Sequence, residues 1–275
     1  MSATERTTQS LPDFGKPPVI EVVCGISFKS LDRLLAPHLG LLWEKFKPSY
    51  PNCQEVPPLV QQVERFDPKT LVEAQLLELP PLPRIWFIDE KGNTLIQVQR
   101  DRFLHNWKKV EPTDEYPRFP EVSKIFRERL GQFEAFLREN GLGRIEPVQY
   151  ELTYINHIPR GEGWDTLRDI GSVFPDFSWN FGRERFIPVP EAINWKSVFQ
   201  LPEQTGRLHV SIRSANRLSD SKPILLLELT ARGIGKEQSQ DAMWSWLDTA
   251  RTWIVRTFAD LTDERLQKNF WGRKQ

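Results

Sequence analysis

The sequence predicts an α+β fold: tandem β-α-β(n)-α units that merge into one mainly antiparallel, curved sheet with helices covering one side. Three observations carry that expectation. A β-rich run follows Pro17-Pro18 and leads straight into a helix-patterned segment; the same strand-then-helix order returns after residue 144; and each half closes on a long amphipathic helix. The shape expected is a TATA-binding-protein-like saddle or a pair of ferredoxin-like units, folds that host many unrelated functions.

The first unit spans 16–143, behind a loose, polar tail at 1–15. Val19 to Phe28 is apolar and β-branched over a strand's length and reads as a central strand. Pro37 suits a first helical turn, and Leu39, Leu42, Trp43 and Phe46 recur at helical spacing until Pro48 and Pro51. Prolines 57, 58, 68, 80, 81 and 83 then predict loops and short edge pieces around Val60 to Arg65 and Leu71 to Leu79. Arg84 to Asp89 and Thr94 to Val110 read as a hairpin around Gly92-Asn93. From Pro120 to Asn140, Val122, Ile125, Phe126, Leu130, Phe133, Phe136 and Leu137 mark a helix stopped by Gly141.

The second unit, 144–275, opens on the strand Pro147 to Ile158, whose Pro-Val start echoes Pro18-Val19, and a short helical piece from Asp165 to Ile170. A Pro- and aromatic-rich middle, Phe174 to Pro202, has no readable pattern. The strands Arg207 to Ser214 and Pro223 to Ala231 flank a polar turn, and a long helix from Glu237 to about Lys268 buries Met243, Trp246, Leu247, Ala250, Trp253, Ile254 and Phe258.

Composition excludes several classes. With 37 basic and 37 acidic residues there is no global field to recruit polyanions or anionic lipid, so nucleic-acid binding needs a local patch. Apolar residues at 39%, ten Trp and 17 Phe exclude disorder. No run reaches bilayer length and the N-terminus lacks a signal peptide's apolar core, so a cytoplasmic, membrane-free protein is expected. Cys24 and Cys53 stand apart, outside any zinc or redox spacing. His105, His157 and His209 each sit alone on a strand, which predicts no metal, and the absence of Gly-rich phosphate loops predicts no cofactor. Glu21, Glu151 and Glu228, in otherwise apolar strands, read as outward-facing or Arg-paired groups rather than catalytic carboxylates.

The densest polar cluster is Gln97 to Lys109. If this is one strand, alternation puts Gln97, Gln99, Asp101, Phe103, His105 and Trp107 on one face and Arg100, Arg102 and Asn106 on the other. Two guanidinium groups, an amide, an imidazole and an indole suit an anionic or planar ligand, gripped by bidentate Arg bonds and stacking. Arg213 and the basic, aromatic C-terminus with Trp271 and Arg273 complete the candidate set.

Pro17-Pro18-Val19-Ile20-Glu21-Val22, Gln99-Arg100-Asp101-Arg102-Phe103 with His105-Asn106-Trp107, and Asn269-Phe270-Trp271-Gly272-Arg273 resemble the signature segments of a sporadically distributed, uncharacterised bacterial family of about this length. The resemblance implies a bacterial cytosolic protein carried on mobile or defence-linked loci, and it transfers no catalytic assignments.

The expected function is a binding or interaction protein that engages a protein partner or an anionic ligand through the sheet's exposed face, with Arg100, Arg102, His105, Asn106, Trp107, Arg213, Trp271 and Arg273 in contact. A nucleic-acid-binding module with Arg100, Arg102, Lys108, Lys109 and Arg213 on phosphates and Trp107 on bases is the alternative. A third reading is an enzyme using His105 or His157 with a strand Glu. Oligomeric state is not readable.

Overall fold

Two long strands, β1 (Val19–Phe28) and β6 (Pro147–Pro159), pair antiparallel at the centre of the molecule. The computed structural model describes residues 10–66, 82–177, 186–235, 237 and 239–274, so the expected piece at Leu71 to Leu79 lies outside the described residues. From the central pair the sheet extends both ways. On one side lie β5 (Arg102–Lys108), β4 (Thr94–Gln99), β3 (Arg84–Ile88) and β2 (Asn52–Val56); on the other lie β9 (Pro223–Gly233), β8 (Gly206–Asn216) and β7 (Asn194–Gln200). All nine strands are antiparallel, in the order β2-β3-β4-β5-β1-β6-β9-β8-β7.

Three longer helices pack on one face: α1 (Ala36–Phe46), α2 (Phe119–Glu139) and α3 (Gln240–Leu261). Side-chain alternation along each strand selects that face. Register aligns Phe87, Ile96, His105, Cys24 and Leu152, and the neighbouring row holds Val98, Phe103, Ile26 and Tyr150. Phe46 of α1 stacks on Phe87, Phe126 and Phe133 of α2 stack on Phe103, and Trp246 of α3 lies against Tyr150. Burial of each such ring contributes about 1.5–3 kcal/mol. Gly25 on β1 faces the other way, where a Cβ would collide with Leu104 of β5, so glycine lets Leu104 lie across the central strand.

Two sequence expectations are corrected, and one unread segment gains a strand. Thr94 to Val110 is not one strand, because Arg100-Asp101 turns the chain between the paired Gln99 and Arg102. No Gly or Asn marks this turn; the amides of Phe28 and Leu31 hold it by donating to the Asp101 and Arg100 carbonyls, at 2.9 and 3.0 Å. The C-terminal helix ends at Leu261, where Thr262 is extended and Asp263 caps a separate helix, α4 (Glu264–Asn269), by accepting from the amides of Arg265 and Leu266. The patternless middle contains β7, an edge strand whose Val198 and Phe199 stay exposed. Its chemistry is that of a half-solvated edge, so no clean alternation announces it.

Trp253, expected in the core, is half-buried, whereas Trp246 is 5% exposed and donates its indole N–H to the Thr205 carbonyl at 3.0 Å. Trp246→Ala is therefore expected to cost about 3–5 kcal/mol and Trp253→Ala distinctly less. Urea denaturation of both variants checks this, and equal losses would contradict the placement.

Candidate functional site

The face opposite the helices carries Arg102, Asn106 and Arg213 of the residues that sequence reasoning singled out, and it is buried at its centre. Gln97, Gln99, Arg102, Asn106, Gln149, Thr153 and Thr230 are all less than a tenth exposed, and Leu95, Leu104 and Val23 lie among them. The expectation of an exposed face fails here, and polar groups removed from water must bond one another.

Part of the cover is an extended segment, residues 59–66, that crosses the strands at one end of this face. Gln99 accepts from the Leu59 amide and donates to the Leu59 carbonyl, both at 2.9 Å. Gln149 repeats the device three strands away, accepting from the Glu64 amide at 2.8 Å and donating to the Gln62 carbonyl at 2.6 Å. A side-chain amide has the same donor and acceptor geometry as a peptide group, so each glutamine fastens a backbone that has no strand to pair with. At the far end Glu64 receives Arg207 at 2.7 Å and meets His209 at 2.6 Å.

A second network runs across β3, β4, β5 and β1. Arg84 and the indole of Trp86 donate to Gln97 Oε1 at 2.8 and 3.1 Å, Gln97 donates to Asn106 at 2.7 Å, and Asn106 donates to Glu21 at 2.6 Å. Burial pushes the Glu21 carboxyl up, against the Asn106 bond, and the nearby Glu228 adds to the rise. The other strand glutamate, Glu151, pairs with Arg232 at 2.6 Å.

Arg102 projects onto this face with its Nη2 3.4 Å from the Val60 carbonyl, while its Nε is buried without a partner among the described residues. Its neighbour is not Arg100, which lies in the turn and donates to the Leu34 carbonyl, but Arg84, two strands away and about 10 Å apart along the backbone. Burial and the charge of Arg102 both lower the proton affinity of Arg84, whose Nε is also buried and unpartnered. Among the described residues neither guanidinium has a carboxylate within ion-pair distance; Asp101 feels the charge of Arg102 but is bonded to Gln99 instead.

The other predicted residues are dispersed. His105 points into the helix face, fully buried, with neither ring nitrogen hydrogen-bonded among the described residues; burial and then Arg129 lower it to about 3, so it stays neutral at physiological pH. Trp107 is buried against Tyr116 on the same face. Arg213 is exposed on β8, away from the Arg84–Arg102 pair. Trp271 is 2% exposed against Phe258, and Arg273 bonds Gln267 and bridges to Phe14, so the C-terminal segment closes the core beside the N-terminal one. Arg84 was missed because it opens an apolar strand, Arg-Ile-Trp-Phe-Ile, in which a lone basic residue reads as a solvated end. Among the described residues no three His, Cys, Asp or Glu side chains converge to hold a metal, and no helix is long and apolar enough to cross a membrane.

No family model matches the chain, and no curated protein matches it. A solved structure, DynU16, described as a protein in the dynemicin biosynthetic locus, aligns over 88% of this chain and 98% of its own at 11% identity and a TM-score of 0.26. A likeness at that level carries no argument about fold or activity.

Glu64 anchors the crossing segment electrostatically. Burial raises its carboxyl, but the bonds from His209 and Arg207 outweigh that and hold it below the ordinary carboxylate range. A carboxyl so lowered contributes stability above its unfolded pKa, about 4.3, and loses it as pH falls through the folded value. Glu64→Gln is expected to cost about 1–2 kcal/mol at pH 7, allowing for solvent at the partly exposed Arg207, and progressively less below about pH 5. Denaturation of both proteins from pH 7 to pH 3 tests this; a gap independent of pH would contradict it.

Proposed function

We propose that the protein is a binding protein that takes an anionic group, a phosphate or carboxylate of a ligand or partner, between Arg84 and Arg102 on the sheet face opposite the helices. The single observation that carries this reading is the pair itself: two guanidinium groups, partly withdrawn from water and close enough to oppose one another, with no carboxylate among the described residues in ion-pair contact with either. Two like charges in a partly desolvated site are costly, and an anion that both can fork onto removes that cost. The flanking amides fix the geometry, because Gln97 orients Arg84 and the backbone of the crossing segment meets Arg102.

The alternatives have less support. For nucleic acid, Trp107 would have to stack on bases, and its ring is committed to Tyr116. For an enzyme, His105 or His157 would have to work with a strand glutamate; Glu21, bonded to Asn106, lies across the sheet from His105, and burial with Arg217 and Arg213 lowers His157 to about 4. The reading of 16–143 and 144–275 as tandem, saddle-forming units is supported by strand order: β1 and β6 are central, and each has the last strand of its own half, β5 or β9, on its outer side.

Pyrophosphate and citrate serve as probes. An anion at 100 times its Kd stabilises the folded state by about 2.7 kcal/mol, which raises the melting temperature by about 5–10 °C in a chain of this size. The native protein is expected to show that rise, and Arg84→Gln and Arg102→Gln to lose it while remaining folded by circular dichroism. No rise, or an equal rise in both variants, would reject the site.

A further inference from the structure

On the helix face, a cleft of about 380 Å³ lies where α2, α3 and the segment 12–17 meet over β1, β6 and β9. Its walls are apolar, from Phe14, Val19, Phe119, Leu229, Ile254 and Phe258. Its polar groups are few and incompletely used. Arg251, half-buried on α3, rests over the Phe119 ring at 5.3 Å and has no hydrogen bond or ion pair among the described residues. Asn156, only 3% exposed on β6, donates to the Leu227 carbonyl at 3.2 Å, and its Oδ1 has no donor among the described residues.

The hydroxyls of Tyr116 and Tyr154 lie 2.9 Å apart, so one donates to the other. Two hydroxyls carry two protons, and only one is used between them; the second is free to be given to a guest. Burial pushes Tyr116 up to about 12 and Tyr154 well above its ordinary value, with Arg251 acting weakly in the opposite direction, so both remain protonated donors. At the mouth, Arg118 opens α2 at φ +75° and ψ 154°, a conformation that residues other than glycine rarely adopt, and its guanidinium reaches Asp13 at 3.4 Å.

We infer that this cleft binds an amphipathic monocarboxylate, its apolar body between α2 and α3, its carboxylate on the guanidinium of Arg251 and its second oxygen on the free hydroxyl of the Tyr116–Tyr154 pair. The volume falls in the range of small-molecule sites, and apolar walls with one cation and one neutral donor are the chemistry that separates an organic acid from an alcohol of the same size. Asp13 at the entrance, already held by Arg118 and Lys274, leaves Arg251 as the unbalanced charge inside. The site is independent of the Arg84–Arg102 pair, which lies on the opposite face of the sheet.

Isothermal titration of the full chain with octanoate, 1-naphthoate and 1-octanol tests the inference, and the first two probes distinguish an aliphatic from an aromatic guest. Both acids, or one of them, are expected to bind the native protein at least about tenfold more tightly than octanol, as one charge-assisted bond provides. Arg251→Gln should erase that preference, Arg251→Lys should restore part of it, and Tyr154→Phe should weaken the acids several-fold. Arg84→Gln should change nothing here, which separates this cleft from the anion site on the other face. Failure of both acids to bind, octanol binding as tightly as octanoate, or unchanged acid binding in a folded Arg251→Gln variant would overturn the inference.

Discussion

Everything distinctive in this molecule follows from a sheet whose central strands are covered on both faces. β1 has neighbours on each edge, helices on one face and buried side chains on the other, so none of its surroundings is bulk water. On the helix face the solution is apolar: stacked rings of Phe46, Phe87, Phe103, Phe126 and Phe133 form a continuous core. On the other face the sequence supplies Gln, Asn, Arg, Thr and Glu, and a polar layer is stable only if its members satisfy each other. Two networks do so. One uses the glutamines of β4 and β6 to hold the backbone of residues 59–64, and the other links Arg84 through Gln97 and Asn106 to Glu21.

That layer is also where the balance of charge is incomplete. Glu151 has Arg232 and Glu64 has Arg207 and His209, whereas among the described residues Arg84 and Arg102 bond only amide and carbonyl oxygens. The same pattern recurs on the helix face, where Arg251 stands in an apolar cleft beside a tyrosine pair with a proton to give. In the proposed reading, cations without an ion pair among the described residues are the places where an outside anion would bind.

How much of this could be read from the letters depends on whether the signal was local. β1 was legible to the residue, since a run dominated by Val, Ile, Cys and Phe has one reading, and α2 was legible from its 3.6-residue stripe of Phe and Leu. The Arg100-Asp101 turn was not, because the amides of Phe28 and Leu31 stabilise it from far away in sequence. Missing it shifted the face assignment by one step between Gln99 and Phe103, which placed Trp107 and His105 with the glutamines rather than in the core. Arg102 stands in the sequence as a candidate anion ligand, yet the Arg84 proposed beside it was invisible, since only strand register brings β3 and β5 to the same row. Tyr116, Tyr154, Asn156 and Arg251 come from three distant segments and carried no motif at all.

The claim on which the rest depends is that Gln99 and Gln149 pin the crossing segment to the sheet through its backbone. Residue-resolved amide hydrogen exchange tests it directly, because an amide held by a buried acceptor exchanges only when that local structure opens. In the native protein the Leu59 and Glu64 amides are predicted to exchange far more slowly than that of Val60, whose residue is 84% exposed. Gln149→Ala is predicted to release Glu64 while leaving the amides of β1 protected. Equal, rapid exchange at residues 59, 60 and 64 of the native protein would contradict the account.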